Sequence, residues 1–422
     1  MNTKFRFVSS CRLCKSSDLE NVLTLEPFPL GDQYLPRGTG AKSANLIPFG
    51  VNRCNSCGQF QTIAATDPDH YRHCLTRPAS VNSVLSVSYR ESVPKLIELT
   101  GLTTSDLVLE IGSNDGLFTS FFSEKGFRCL GVDPALNLTA SAEDLGVPTL
   151  AEFFNSRLAE EVIAKHGPAK VVIANFVVAN VDDLDDFIDG VEKVLAPGGV
   201  FVIETNYVSD IVSNLLIETL VHEHLSYFSV ASLSDYLERH GLELFDVVRV
   251  PSKAGSLRCH IQRKGSNFFI KQSVHSMREF EMSSGLFRNS LWDEFSKTLM
   301  STRKSILDFC EQRVFNGIVG YGTSDGATTL IYQLGIGSYL KALIDDDPYR
   351  QNLESPGFGI PTVSGEAIFT DPPAASTCLI LAPQYAKQIF DKNPKAQKLG
   401  VTFAKTWPQV KELTNSEPQH LG

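Results

Sequence analysis

The chain has 422 residues, 42% of them hydrophobic and 20% charged, and a formal net charge of -10. This length predicts two or three domains with sizeable cores, and the composition excludes a largely disordered chain. The acidic balance argues against broad binding to nucleic acid or anionic lipid, so an anionic ligand must meet a local basic pocket.

The opening residues Met-Asn-Thr-Lys-Phe-Arg lack the apolar core of a secretory signal, and no run of about 18 apolar residues follows, so the expected compartment is the cytoplasm, with no membrane partner. The first element along the chain is a pair of Cys-x-x-Cys turns, Cys11/Cys14 and Cys54/Cys57. Each turn offers two sulfurs to one centre, which predicts a zinc module over residues 1–75. Four sulfurs close the coordination sphere, so the zinc is expected to be structural rather than catalytic. The separation of the turns, roughly 40 residues, exceeds that of common zinc ribbons. Gly58 suits a knuckle turn, and Pro27, Pro29, Gly31, Pro36, Gly38 and Gly40 read as loop between the two. Cys74, Cys129, Cys259, Cys310 and Cys378 form an odd remainder, expected to be mostly buried thiols of a reducing compartment.

Strands are predicted at Leu107 to Ile111, Cys129 to Asp133, Lys170 to Ala174, Val200 to Glu204, Leu244 to Val250 and Leu257 to Arg263, with helices between most of them. One helix, Asp182 to Leu195, is expected to stop at Ala196-Pro197-Gly198-Gly199. Repeated strand-helix units imply an α/β fold with a doubly wound, mostly parallel sheet over residues 76–265, and a ligand at the carboxyl ends of its strands. A polar helical linker or packing arm covers 266–315. A smaller, Rossmann-like α/β unit over 316–410 opens at Gly320-Tyr321-Gly322, and the tail after Pro408 is expected to fray.

The first strand ends in Glu110-Ile111-Gly112-Ser113-Asn114-Asp115-Gly116, an acidic residue and a tight glycine turn of the form that cradles an amino acid and ribose. It has no Gly-Lys-Ser/Thr for a triphosphate. The second strand ends in Gly131-Val132-Asp133, whose carboxylate can accept both ribose hydroxyls of an adenosine. That spacing also suits a nicotinamide dinucleotide, but the turn is not Gly-x-Gly-x-x-Gly. The glycines alone also read as an ordinary strand-to-helix turn, and Asp133 as a helix cap before Pro134.

Glu110 to Gly116, Asp133-Pro134, Ala174-Asn175 and Leu195 to Glu204 resemble the class I S-adenosylmethionine-dependent methyltransferases. The cysteine turns, Val221-His222-Glu223-His224-Leu225, Gly320-Tyr321-Gly322, Asp345 to Pro348 and Pro356 to Pro361 narrow the likeness. In that order they resemble the zinc-containing nucleotide-sugar C-methyltransferases, which act on 4-keto-deoxysugars. The resemblance, from about Cys11 to Pro383, implies S-adenosylmethionine and structural zinc as cofactors and a small-molecule acceptor, a nucleotide-linked sugar. It implies that Glu110, Gly112, Asn114, Asp115, Asp133 and Asn175 line the donor site, with Glu152 and Phe153 near the adenine.

Methylating carbon beside a ketone needs a base for the α-proton and a group to hold the enolate. The resemblance implies His224 as base, with Glu223 beside it, a role that suits an imidazole. Alone, His224 reads more readily as a hydrogen-bonded core residue than as a catalyst, and His222-Glu223-His224 reads as a metal site only on a strand, with no third ligand evident. The pocket departs from the family pattern. Val221 stands for the tyrosine before x-Glu-His, Asn180 for a histidine after the fourth strand, and Lys253-Ala254-Gly255-Ser256-Leu257-Arg258 for His-Gly-Gly-Ser-Leu-Arg. The segment His73 to Ser80 replaces an aromatic, serine-rich one, and no lysine stands near Gly326. Asn180 and Lys253 are candidate replacements: Asn180 could donate an amide hydrogen bond and Lys253 could place an ammonium near an oxyanion or a phosphate, and both also read as solvent-exposed residues. Arg258 reads as a phosphate contact or a surface residue. Two readings stay open: a keto-sugar C-methyltransferase, or a diverged scaffold that binds the donor or a nucleotide and performs other chemistry or none. A zinc-ribbon nucleic-acid binder is disfavoured by the absence of basic-aromatic runs.

Overall fold

The computed structural model describes residues 3–73, 77–81 and 83–414. Cys74 lies outside the described residues, as does the tail beyond Thr414.

The N-terminal sheet joins Leu19–Phe28, Ile47–Cys54 and Phe60–Thr62 in antiparallel pairs. Its fourth strand is distant in sequence: Ser226 and Tyr227 pair with Gln61 and Phe60. The segment that completes this sheet therefore follows directly after His222-Glu223-His224. The stretch expected to be loop is partly strand, a correction to the sequence reading. Pro27 lies within Leu19–Phe28, where the register shifts between Leu25 and Phe28, and Leu35–Pro36 pairs with Leu353–Glu354. A bulge tolerates proline because the ladder is already interrupted there.

In the seven-stranded central sheet the order is Leu242–Val250, Ser256–Arg263, Leu195–Asn206, Ala169–Asn175, Leu107–Ile111, Arg128–Val132 and Thr149–Leu150. The last five are parallel, and the first two form an antiparallel edge. Alternation along these strands builds two cores. Leu107, Leu109, Val172 and Phe201 pack with Phe187 and Leu233 on one face, and Val108, Ile173 and Val202 pack with Val93 and Phe118 on the other. Strand order reverses between Leu107–Ile111 and Ala169–Asn175, which opens a crevice at their carboxyl ends. The helix expected over Asp182 to Leu195 spans Leu184–Val194, with Asp183 as its cap. Ala196 to Gly199 enter the following strand instead of a turn.

Helices Gln272–Ser283 and Asn289–Glu311 form a packing arm. Trp292, Phe295, Ile306 and Cys310 are buried in one core with Phe28 and Phe60 of the N-terminal sheet and Leu330 of the C-terminal unit. Each such side chain contributes about 1.5–3 kcal/mol by leaving water, so the three parts are welded together. The six-stranded C-terminal sheet runs Thr362–Val363, Leu340–Ile344, Ile318–Tyr321, Thr377–Ile380, Thr402–Lys405, Lys411–Glu412. Lys411 and Glu412 pair antiparallel with Lys405 and Ala404, so the chain beyond Pro408 starts with a strand rather than a frayed end. Cys259, Cys310 and Cys378 are buried as expected, whereas Cys129 is only partly so. No helix among the described residues is long and apolar enough to cross a membrane.

Candidate functional site

The sulfurs of Cys11, Cys14, Cys54 and Cys57 all lie within 4.8 Å of one another, with Cys11 to Cys57 at 3.6 Å and Cys14 to Cys54 at 3.5 Å. A tetrahedron of ~2.3 Å zinc–sulfur bonds has edges of about 3.8 Å, so the four sulfurs suit zinc. Both knuckles close on a left-handed residue: Gly58, as expected, at φ 74, and Lys15, which the sequence did not single out, at φ 62. Their amides return to Cys54 and Cys11 carbonyls at 2.9 Å. Cys11 and Cys54 are buried against the core of the central sheet, and none of the four cysteines lines the cavity at its crevice, as suits a structural ion.

At the crevice lies a cavity of about 690 Å³, lined by Glu110, Gly112, Asn114, Asp133, Glu152, Phe153, Asn175, Asn180 and Lys253 among others. That volume accommodates an adenosyl amino acid with room beside it. Gly112 is obligatory: at φ 70, an added Cβ would stand 2.1 Å from Val177 Cγ2. Asp133 accepts hydrogen bonds from the Asn114 and Ala135 amides, each at 2.8 Å. This fixes the carboxylate at the tip of its strand with lone pairs to spare for a diol. Burial raises its pKa above the ordinary value, while the two amides oppose the shift.

The other loop residues are committed differently. Glu110 accepts from the Thr119 amide at 3.2 Å and from the Thr119 hydroxyl, and burial pushes its carboxyl up to about 8. Asn114 accepts from Ala79 N at 2.7 Å and donates to the Arg77 carbonyl at 3.1 Å; Asp115 accepts from Ser80 N at 3.0 Å. Asp115 is buried and does not line the cavity. The loop thus holds the segment 77–80 against the pocket, a use of Asn114 and Asp115 that the sequence reading missed. Glu152 pairs with Arg72 at 3.2 Å, and the Arg72 guanidinium sits 4.7 Å from the Phe153 ring.

His224 and Glu223 are not among the residues that line this cavity, but His224 is only half-buried and feels the charge of Lys253, which does line it. The helix Asp325–Gln333 fixes them: Gly326 packs on Glu218 so closely that a Cβ would meet its carbonyl oxygen at 2.4 Å, and the Thr329 hydroxyl donates to Leu220 O at 3.1 Å. His224 Nδ1 lies 2.8 Å from the Thr219 carbonyl oxygen, which can only accept. The neutral ring therefore keeps its lone pair on Nε2. Burial and then the Lys253 charge hold its pKa below the ordinary value, with Asp325 opposing. Burial, helped by Asp325 and Asp32, raises Glu223 well above the carboxylate range, and its Oε2 is buried without a hydrogen-bond partner among the described residues.

His222 belongs to a different environment. It is buried, its Nε2 is 3.0 Å from Phe28 O, and its ring lies 4.2 Å from that of Phe28. A metal site with His224 finds no support, since the cysteine tetrad is the cluster with ligand geometry among the described residues. Arg258 is no free phosphate contact: it grips Glu204 through Nε at 3.0 Å and Nη2 at 2.8 Å. Val221 is fully buried. Phe176, Tyr89 and Asn155 also line the cavity; no local motif marks them in the sequence.

Family models match three consecutive parts of the chain: a "Putative zinc binding domain" over residues 11–71, a methyltransferase domain over 87–247 and a C-methyltransferase C-terminal domain over 251–408. The C-methyltransferase NovU of Streptomyces niveus is 30% identical over 416 residues, covering 97% of this chain and 98% of that one. A ubiquinone biosynthesis O-methyltransferase of Caulobacter sp. (strain K31) is 31% identical over 100 residues, 23% of this chain and 40% of its own. Among solved structures, an S-adenosylmethionine-dependent methyltransferase from Clostridium acetobutylicum aligns over 43% of this chain and 92% of its own at 14% identity, TM-score 0.35. With a likeness to NovU that runs nearly the full length of both proteins, the chain belongs to the zinc-containing, S-adenosylmethionine-dependent C-methyltransferase family.

Proposed function

We propose that the protein methylates the carbon next to the ketone of a nucleotide-linked deoxysugar or a related keto compound. The observation that carries this reading is a cavity that extends from the Gly112 turn to Asn180 and Lys253, whose charge acts on His224, an imidazole with its free nitrogen defined by Thr219. S-adenosylmethionine, when bound, supplies the methyl group as an electrophile; Asp133, Asn175 and the turn at Gly112 would hold it. Glu152 and Phe153 stand where they could flank the adenine. His224 would take the α-proton on Nε2. Its lowered pKa keeps it neutral, and so competent as a base, at ordinary pH.

The enolate oxygen needs a donor that Val221 cannot provide. Lys253 and Asn180 line the cavity and take that part in this reading, while Glu223, held neutral by burial and neighbouring carboxylates, can donate a proton to the oxygen. The residue ranges 1–75, 76–265, 266–315 and 316–410 would then divide into zinc module, donor domain, packing arm and acceptor cover. The test is methyl transfer to a panel of nucleotide-linked 4-keto-deoxysugars and simple α-hydroxy ketones, with solvent deuterium uptake at the α-carbon. Donor binding without transfer or exchange on any member would defeat the reading in favour of a scaffold with other chemistry.

A further inference from the structure

Lys253 occupies a turn built with unusual care. Its backbone is left-handed, φ 49, a conformation that costs a non-glycine residue of order 1 kcal/mol or more. The turn is held from both sides: the Ser252 hydroxyl donates to Glu204 at 2.5 Å, the Ser256 hydroxyl donates to Ser252 O at 2.9 Å, and Gly255 packs so tightly that a Cβ would meet Asp210 Oδ2 at 2.7 Å. Opposite it, Phe176 is also left-handed, φ 56, its amide donating to Glu204 O at 2.6 Å. The result is an amine whose Nζ is 3.8 Å from the centre of the Phe176 ring, inside the cavity that holds the donor loop. The side chain is open to the cleft, and among the described residues no carboxylate lies within ion-pairing distance of it. A lysine serving only as a charge is commonly paired, whereas one kept unpaired against an aromatic face suits nucleophilic use.

We propose that Lys253 acts covalently, condensing with the acceptor ketone to an iminium from which His224 removes the α-proton. This rests on the keto-acceptor reading above. The neutral amine adds to the carbonyl carbon, and the carbonyl oxygen leaves as water with one proton from the amine and one from solvent, the latter returned when the iminium is hydrolysed. The α C–H proton passes to His224 Nε2, and its electron pair becomes the enamine double bond. The enamine carbon forms the new bond to the methyl as the methyl–sulfur bond breaks, with that electron pair staying on sulfur. Water then adds to the iminium and releases the methylated ketone and the free amine, so the water lost at the start is regained. The Phe176 face would stabilise the iminium cation as it does an ammonium, and the cleft walls crowded around the amine partly desolvate it, which lowers the pKa of Lys253 and favours the neutral form. An iminium is a stronger electron sink than a ketone, so no tyrosine is needed at position 221.

The experiment incubates the whole protein, without methyl donor, with a nucleotide-linked 4-keto-6-deoxyhexose and cyanoborohydride, and reads the intact and peptide masses. The expected result is an adduct equal to the probe less one oxygen, mapped to Lys253, absent in Lys253→Arg and retained in His224→Gln. Lys253→Arg keeps the charge but cannot form the iminium, and should lose α-deuterium exchange by about 100-fold or more. Wild-type methyl transfer with no trapped adduct, an adduct on another lysine, or Lys253→Arg within tenfold of wild type would overturn the proposal and leave the keto-acceptor reading standing. A protein that neither exchanges nor methylates any keto probe would sink both.

Discussion

The imidazole of His224 is tied through Nδ1 to the carbonyl oxygen of Thr219, 2.8 Å away, and Thr219 belongs to the segment clamped by the helix Asp325–Gln333. The C-terminal unit thus sets the tautomer and aim of a residue in the middle of the chain. His224→Gln should lower turnover by about 10²–10⁴-fold with donor affinity unchanged, since a general base commonly contributes that much. Single-turnover rates and calorimetric donor binding would check both halves.

The pH profile should report the same histidine. Because burial and Lys253 depress its pKa, His224 stays neutral further into acid than a free imidazole, and the acid limb of kcat/KM should fall below the usual value of about 6.5. Replacing Lys253 by Gln removes one of the two depressing influences, so whatever activity remains should show its acid limb moved to higher pH. A limb that does not move would mean that another group titrates.

Stability should fall in mild acid through His222. Burial holds its pKa down at about 4, so the folded state refuses a proton that the unfolded chain accepts below about 6.5. The loss grows as pH drops through this window, at up to about 1.4 kcal/mol per unit, or roughly 2.5 kcal/mol by pH 4.5. Urea unfolding at pH 7 and pH 4.5 should show this loss in the wild type and a smaller one in His222→Gln.

Asp133 meets the Asn114 and Ala135 amides at 2.8 Å each, and is the carboxylate proposed for the donor ribose. Asp133→Ala should weaken S-adenosylmethionine binding by about 10–100-fold, the worth of one or two charge-assisted hydrogen bonds. Unchanged affinity by calorimetry would place the ribose elsewhere.

Restoring an aromatic hydroxyl at position 221 should not restore the family's usual pocket. Val221 is 0% exposed, so Val221→Tyr overpacks the core and should cost about 1–3 kcal/mol in chemical denaturation, with no gain in turnover. Removing zinc acts on the same stability axis: Cys54→Ser opens a four-sulfur site inside the central core and should lower the unfolding temperature without altering the proton-transfer pH profile.

Motifs of short sequence span were legible because their geometry is local. A Cys-x-x-Cys turn fixes two sulfurs whatever surrounds it, and a strand ending in Gly112 forces a turn that excludes other residues through Val177. Side-chain direction was less legible. Asn114 and Asp115 look alike as donor-site candidates, yet both are bound to the segment 77–80, and Asp115 faces away from the cavity. Phe176 carries no motif at all, because its importance lies in what stands 3.8 Å across the cleft.

By itself the sequence determined the class of the protein: hydrophobic alternation, glycine turns and paired cysteines act through neighbouring residues, and their consequences are set before the chain folds. Only the tertiary structure decided how the pocket is furnished. Residues 226–227 complete the N-terminal sheet, the helix Asp325–Gln333 pins the segment leading to His224, and the turn at Lys253 faces a ring from the turn after a different strand. These relations join positions far apart in sequence, and their energies come from close packing and desolvation, which no local pattern of residues encodes.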